Sequence, residues 1–176
     1  MMLLVAAVTL QLGLAAAPPA ISPNSIYQAP LTWTSDAGKK TALSQWAGRK
    51  VVLAMVYTSC KAACPLIVQK LKAVQKTLDA SKVQADFVVV TLDPAHDTAK
   101  TMSHYRHHME LTRPNWTMLV GTDEDTRTLS NLLGFKYRQN PETGEIMHDN
   151  KIFLLDERGE LVRTLEGLGM EEKDLF

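Results

Sequence analysis

Two Val-rich runs, Lys50–Tyr57 (KVVLAMVY) and Asp86–Leu92 (DFVVVTL), constrain the fold of this chain more than any other feature. Neither alternates apolar with polar residues, so each predicts a strand covered on both faces. Strands of that kind need helices on either side. Between them Ile67, Leu71, Val74 and Leu78 recur at spacings of four, three and four, with Lys70, Lys72 and Lys76 mostly off that face. The pattern predicts an amphipathic helix over residues 65–78.

The rest of the chain continues the alternation. A second helix is expected over 97–111, with Asp97 and Thr98 marking its start, then a strand over 117–120 and a helix over 123–133 stopped by Gly134. Upstream, Leu31–Ser35 and Lys40–Leu43 flank the turn Asp36-Ala37-Gly38 and read as a hairpin. Short strands follow at 135–138, 145–148, 152–155 and 161–165, punctuated by turn-forming residues at 140–144 and 157–159. This order predicts an α/β, thioredoxin-like three-layer fold, a mixed central sheet flanked by helices.

Residues 31–176 are enough for one such domain. Residues 1–17 carry no charged side chain and end in the Ala15-x-Ala17 pattern, so they read as a signal peptide of an exported, periplasmic chain. A membrane-tethered form is the alternative, although the run is shorter than the ~20 residues a spanning helix needs and Gln11 interrupts it. No substantial membrane domain is expected after cleavage. Residues 18–30, rich in Pro and Ser, read as a linker. With 19 basic and 19 acidic residues there is no cationic excess to draw the chain onto nucleic acid.

Only two cysteines are present, too few for a disulfide scaffold, so they must be explained as a pair. Cys60 and Cys64 lie where the first buried strand ends and the amphipathic helix begins. Ligands of open α/β sheets bind outside the carboxyl ends of the strands. The helix N-terminus and Lys61 both favour thiolate, which predicts at least one depressed thiol pKa. Four residues apart on a helical turn, two thiolates come within ~5–6 Å, close enough to clamp one soft metal or to close a disulfide after modest movement. Thiolates select Cu(I), zinc or iron–sulfur clusters, and two of them leave a metal short of ligands. A third donor is expected.

Cys60-Lys61-Ala62-Ala63-Cys64-Pro65 resembles the C-x-x-x-C-P motif of the Sco/SenC family, and Leu92-Asp93-Pro94-Ala95-His96-Asp97-Thr98 resembles its Asp-Pro-x-x-Asp-Thr segment. His148, in Met147-His148-Asp149-Asn150-Lys151, matches the downstream histidine of that family. The resemblance covers most of residues 40–169. It implies copper, as Cu(I) or Cu(II), held by Cys60, Cys64 and His148. It also implies a metallochaperone that helps assemble the dinuclear copper centre of cytochrome c oxidase, by delivering copper, by reducing client thiols, or by both. The partner would be the copper-receiving subunit of that oxidase or another copper protein. The alternative is a thiol-disulfide oxidoreductase or redox sensor, with Cys60 and Cys64 as its redox-active groups and no need of His148. Family members often carry Pro after the first cysteine, where this chain has Lys61, and finish with a longer C-terminal helix than residues 170–176 provide.

Other candidates carry weaker signals. Asp149 could orient His148 by hydrogen bonding or be an exposed turn aspartate, while Asp93 and Asp97 could shape the loop facing the site but read first as a strand-end turn with a helix N-cap at Asp97. His104, His107 and His108 share helical spacing, but with Lys100 and Arg106 nearby they read as a solvated face. Met55 and the three tryptophans are expected in packing roles.

Overall fold

The computed structural model of the protein describes residues 21–167, 169 and 171–175; the expected signal segment lies outside them. The described chain forms strands β1 (Trp33–Ser35), β2 (Lys40–Thr41) and β3 (Val51–Val56), helix α1 (Ala63–Ala80), and strand β4 (Asp86–Thr91). Helix α2 (Ala99–His108), strand β5 (Trp116–Val120) and helix α3 (Asp123–Leu132) follow. The chain then makes β6 (Tyr137–Gln139), β7 (Ile146–His148), β8 (Lys151–Leu155) and β9 (Leu161–Glu166), with a last 3-10 turn at Glu172–Leu175.

One mixed sheet has the order β2-β1-β5-β4-β3-β8-β9, and β6 with β7 forms a separate hairpin. β3 pairs in parallel with β4, and β4 with β5, while β8 runs antiparallel to β3. Every residue of β3 is buried, as is β4 from Phe87 onward, so both pleat faces are covered, as the unbroken apolar runs require. The sheet is the thioredoxin-like arrangement expected from the order of elements.

α1 buries Ile67, Leu71, Val74 and Leu78 as its spacing demands, each worth roughly 1.5–3 kcal/mol against exposure. Two expectations are corrected at helix starts. α1 begins at Ala63, with Ala62 in a non-helical conformation, so Cys60 lies in the turn before the helix and the cysteines do not share a helical turn. α2 is capped by Thr98, whose hydroxyl accepts from Thr101 N–H while the Thr101 side chain takes the Thr98 N–H, so Asp97 is not a cap. Met55, Trp33, Trp46 and Trp116 are all buried.

Both ends of the described chain are tied to this core. Within the stretch read as a linker, Ser25, Ile26 and Tyr27 are buried, and Ile26 N–H donates to the Gly159 carbonyl at 3.0 Å. At the other end Leu175 enters the core from the 3-10 turn. Gly159 has φ of +76°, and a Cβ there would overlap the Tyr27 ring and the Ser25 hydroxyl. Gly159→Ala is therefore expected to cost roughly 1–3 kcal/mol from left-handed strain and loss of the Ile26–Tyr27 packing. Chemical denaturation showing a parent-like midpoint would refute that coupling.

Candidate metal centre

Two chain segments meet beyond the ends of two interior strands, β3 and β8. β3 delivers Tyr57 to Cys60 at its carboxyl end, and because β8 is antiparallel to β3, pairing Ile152 with Ala54, the chain entering β8 arrives beside it. His148 is the last residue of β7, three positions before β8 begins. Strand pairing thus carries an imidazole 84 residues along the chain to within 3.5 Å of the Cys64 sulfur, measured from Nε2.

The ligating atoms of Cys60, Cys64 and His148 all lie within 4.8 Å of one another. Two donors bound to one ion at ~2.0–2.3 Å each lie at most ~4.6 Å apart, so the three can converge on a single metal with little movement. His148 Nδ1 donates to the Asp149 backbone carbonyl at 2.7 Å. That bond leaves the Nε2 lone pair directed at the sulfurs. The ring is further held by a near-parallel stack on Phe135 and an edge contact with Tyr57, each at 5.9 Å between centroids. Asp149 therefore orients His148 through its main chain. Its carboxylate is engaged elsewhere, accepting from Lys136 N–H at 2.9 Å and lying 3.4 Å from Lys151 Nζ.

The two cysteines differ sharply. Cys64 is fully buried and Cys60 partly open. α1 has no side-chain cap, and the Cys60 sulfur stands in for one, accepting from Cys64 N–H at 3.4 Å. Desolvation raises the Cys60 thiol, but the Cys64 thiol, the N–H groups of Cys64 and Ala62, and the Tyr57 hydroxyl all donate to it and hold it below its ordinary value. Burial pushes the Cys64 thiol up, and donation to Cys60 pushes it further. Tyr57 is pushed up to about 12 by burial and by its bond to Cys60. The expectation of one depressed thiol thus falls on Cys60, and hydrogen bonds at the helix start produce it; Lys61 itself is exposed.

A lowered thiol pKa brings the nucleophilic thiolate to lower pH, and a raised one removes it. Limiting iodoacetamide at neutral pH is therefore expected to label Cys60 ahead of Cys64 by at least about tenfold, with the Cys60 rate rising at lower pH than that of free cysteine. Peptide mapping that finds equal labelling contradicts the asymmetry.

Asp93 and Asp97 lie in the turn after β4. Asp93 accepts from His96 Nδ1 at 2.8 Å, and Asp97 is buried against Thr58 and Thr91. His104, His107 and His108 are exposed on α2, away from the three-donor group. Sequence reasoning did not find Tyr57, Phe135, Thr58 or Thr91. Tyr57 and Thr58 stand within three residues of Cys60, a signal of proximity only, and nothing in the sequence pairs Phe135 with His148.

The sequence model of SCO1/SenC matches residues 19–174. The SCO1 protein homolog of Bacillus subtilis (strain 168) is 23% identical over 141 residues, covering 79% of this chain and 73% of that one. Among solved structures, a SCO1/SenC family lipoprotein from Bacillus anthracis str. Ames superposes with a TM-score of 0.75 at 23% identity, covering 81% of this chain and 86% of that one. Arabidopsis thaliana ScoI with copper bound gives a TM-score of 0.73 at 21% identity, covering 84% and 91%.

Proposed function

The chain belongs to the SCO1/SenC family, and from that membership we propose that it is an exported copper carrier assisting assembly of the dinuclear copper centre of cytochrome c oxidase. The observation that carries this reading is the convergence of two sulfurs and one imidazole nitrogen within 4.8 Å, with that nitrogen facing the Cys64 sulfur while Nδ1 is occupied by the Asp149 carbonyl. Two thiolates suit Cu(I), and the imidazole adds the borderline donor that Cu(II) favours. Copper is cargo on this reading. Cys60, half-open at the rim, is the point at which a receiving protein would first reach it.

The asymmetry of the thiols supports a second activity at the same site. The Cys60 thiolate attacks one sulfur of a client disulfide, releasing the other as thiolate. Cys64 then attacks Cys60 in the mixed disulfide, releasing the second client thiol and closing a Cys60–Cys64 disulfide. Two electrons pass to the client, and the protons of the two thiols balance those it takes up.

Reconstitution tests both arms. The copper-loaded chain is mixed with the reduced, copper-free subunit from the same host, and the metal-free chain with the subunit's disulfide form. A dinuclear copper spectrum in the first mixture supports delivery, and client thiols in the second support reduction. The absence of both signals overturns the reading.

Export rests on the uncharged segment 1–17 and on similarity to a family lipoprotein. Among the described residues no helix is long and apolar enough to cross a membrane. The mature chain is expected to begin near Pro18, and N-terminal sequencing from the native host that reads Met1 would refute this.

A further inference from the structure

The turn that carries Cys60 is fastened from outside by a side chain the copper reading does not use. Asp97 is only 3% exposed, and its carboxylate accepts the Thr58 backbone N–H at 3.1 Å and the hydroxyls of both Thr58 and Thr91. Thr91 is the last residue of β4, so the carboxylate bridges the end of that strand to the turn two residues before Cys60. A cap for α2 is not its purpose, because Thr98 and Thr101 form that cap between themselves. Nor is it shared with Asp93, whose two oxygens both face His96 Nδ1. Three donors converging on one buried carboxylate form a stiff, directional link.

We propose that Asp97 is a positioning residue for the copper loop, tying Thr58 to the end of β4 so that the Cys60 sulfur is held over the start of α1 in the arrangement Cu(II) requires. The proposal rests on the reading of Cys60, Cys64 and His148 as copper ligands. Between Tyr57 and Ala63 the chain has no regular structure, and the turn bond from Cys60 N–H to the Tyr57 carbonyl is local to the loop. The Asp97–Thr58 link ties the start of the loop to the end of β4, beside the bonds that Tyr57 and Cys64 make to Cys60 itself. Cu(I) tolerates few ligands and loose geometry, whereas Cu(II) demands a defined donor set. Loosening the loop therefore penalises the oxidised ion more.

The full chain, reduced, is titrated with Cu(II) and with Cu(I) against competing chelators in the parent and in Asp97→Ala, Thr58→Val and Thr58→Ser. Asp97→Ala is expected to lose roughly tenfold to a hundredfold in Cu(II) affinity, the scale of one or two hydrogen bonds to a charged group, with a shifted or weakened Cu(II)–thiolate absorption. Cu(I) affinity should fall by less than about threefold, within the context scatter of a site whose ligands are intact. Thr58→Val keeps the backbone bond and loses the hydroxyl bond, so it should move the same way by less. Thr58→Ser restores the hydroxyl and should recover the parent spectrum, which a purely structural role would not require.

If Asp97→Ala does not fold, the contrast between Thr58→Val and Thr58→Ser decides. Parent-like Cu(II) spectra and affinities in Thr58→Val, or equal losses in Thr58→Val and Thr58→Ser, overturn the proposal. If that happens while Cys60→Ser still loses both copper ions and His148→Ala still loses the Cu(II)–thiolate absorption, only the positioning role fails. A parent chain that binds no copper overturns both this proposal and the copper reading.

Discussion

Replacing either Cys60 or Cys64 by serine is expected to abolish tight binding of both Cu(I) and Cu(II). The sulfurs are the only soft donors in the three-atom group, and a serine hydroxyl neither ionises at neutral pH nor matches Cu(I) in softness. Spread over four ligands, the metal-binding free energy of zinc-finger sites amounts to about 3 kcal/mol per ligand, so the loss should reach at least roughly a hundredfold in affinity. The fold should survive. Serine at 60 can cap α1 as the sulfur does, and serine at 64 has His148 Nε2 as a partner. Chelator competition measures the affinities, and circular dichroism checks the fold. A folded Cys60→Ser chain that holds Cu(I) as tightly as the parent would remove the thiolate clamp from the site.

His148→Ala is expected to separate the two oxidation states. Cu(I) remains bound by the thiolates, weakened by roughly tenfold, while Cu(II) loses the nitrogen donor it favours and with it the Cu(II)–thiolate absorption. The substitution also removes the stack on Phe135 and the edge contact with Tyr57, a stability loss of about 1–2 kcal/mol that a melting curve would register separately. If the variant binds both ions like the parent and keeps the absorption, the imidazole is not a ligand, and the thiol-disulfide reading moves ahead. Together the two predictions distinguish a site built from three donors from one built from two.

The cysteine motif was legible because everything that defines it is local. A strand ends, a helix begins, and both sulfurs lie within five consecutive residues. Its geometry was less legible: a spacing of four suggested a shared helical turn, but the non-helical Ala62 leaves Cys60 outside α1, where its sulfur caps the helix. Of the two readings open for Asp97, a helix N-cap and a residue shaping the loop at the site, the contacts support the second. Asp followed by Thr before a helical stretch fits an N-cap at either residue, and only the contacts show Thr98 doing the capping and Asp97 turned inward to Thr58 and Thr91. The sequence suggested that Asp149 could orient His148 by hydrogen bonding but not through which atoms; its main-chain carbonyl holds the imidazole while its carboxylate faces Lys136 and Lys151.

By itself the sequence determined the buried strands, the amphipathic α1, the order of elements and the place where thiols would be presented, because periodicity and strand-to-helix transitions are short-range properties written in consecutive residues. His148 entered through family resemblance, with no physical signal of its own. Only the tertiary structure decided that this imidazole reaches Cys64, that Phe135 and Tyr57 hold its ring, and that Asp97 fastens the Cys60 turn. Each of these depends on which strands are neighbours and in which direction they run. The antiparallel placement of β8 beside β3 is set by packing across the whole sheet, and no local stretch of residues encodes it.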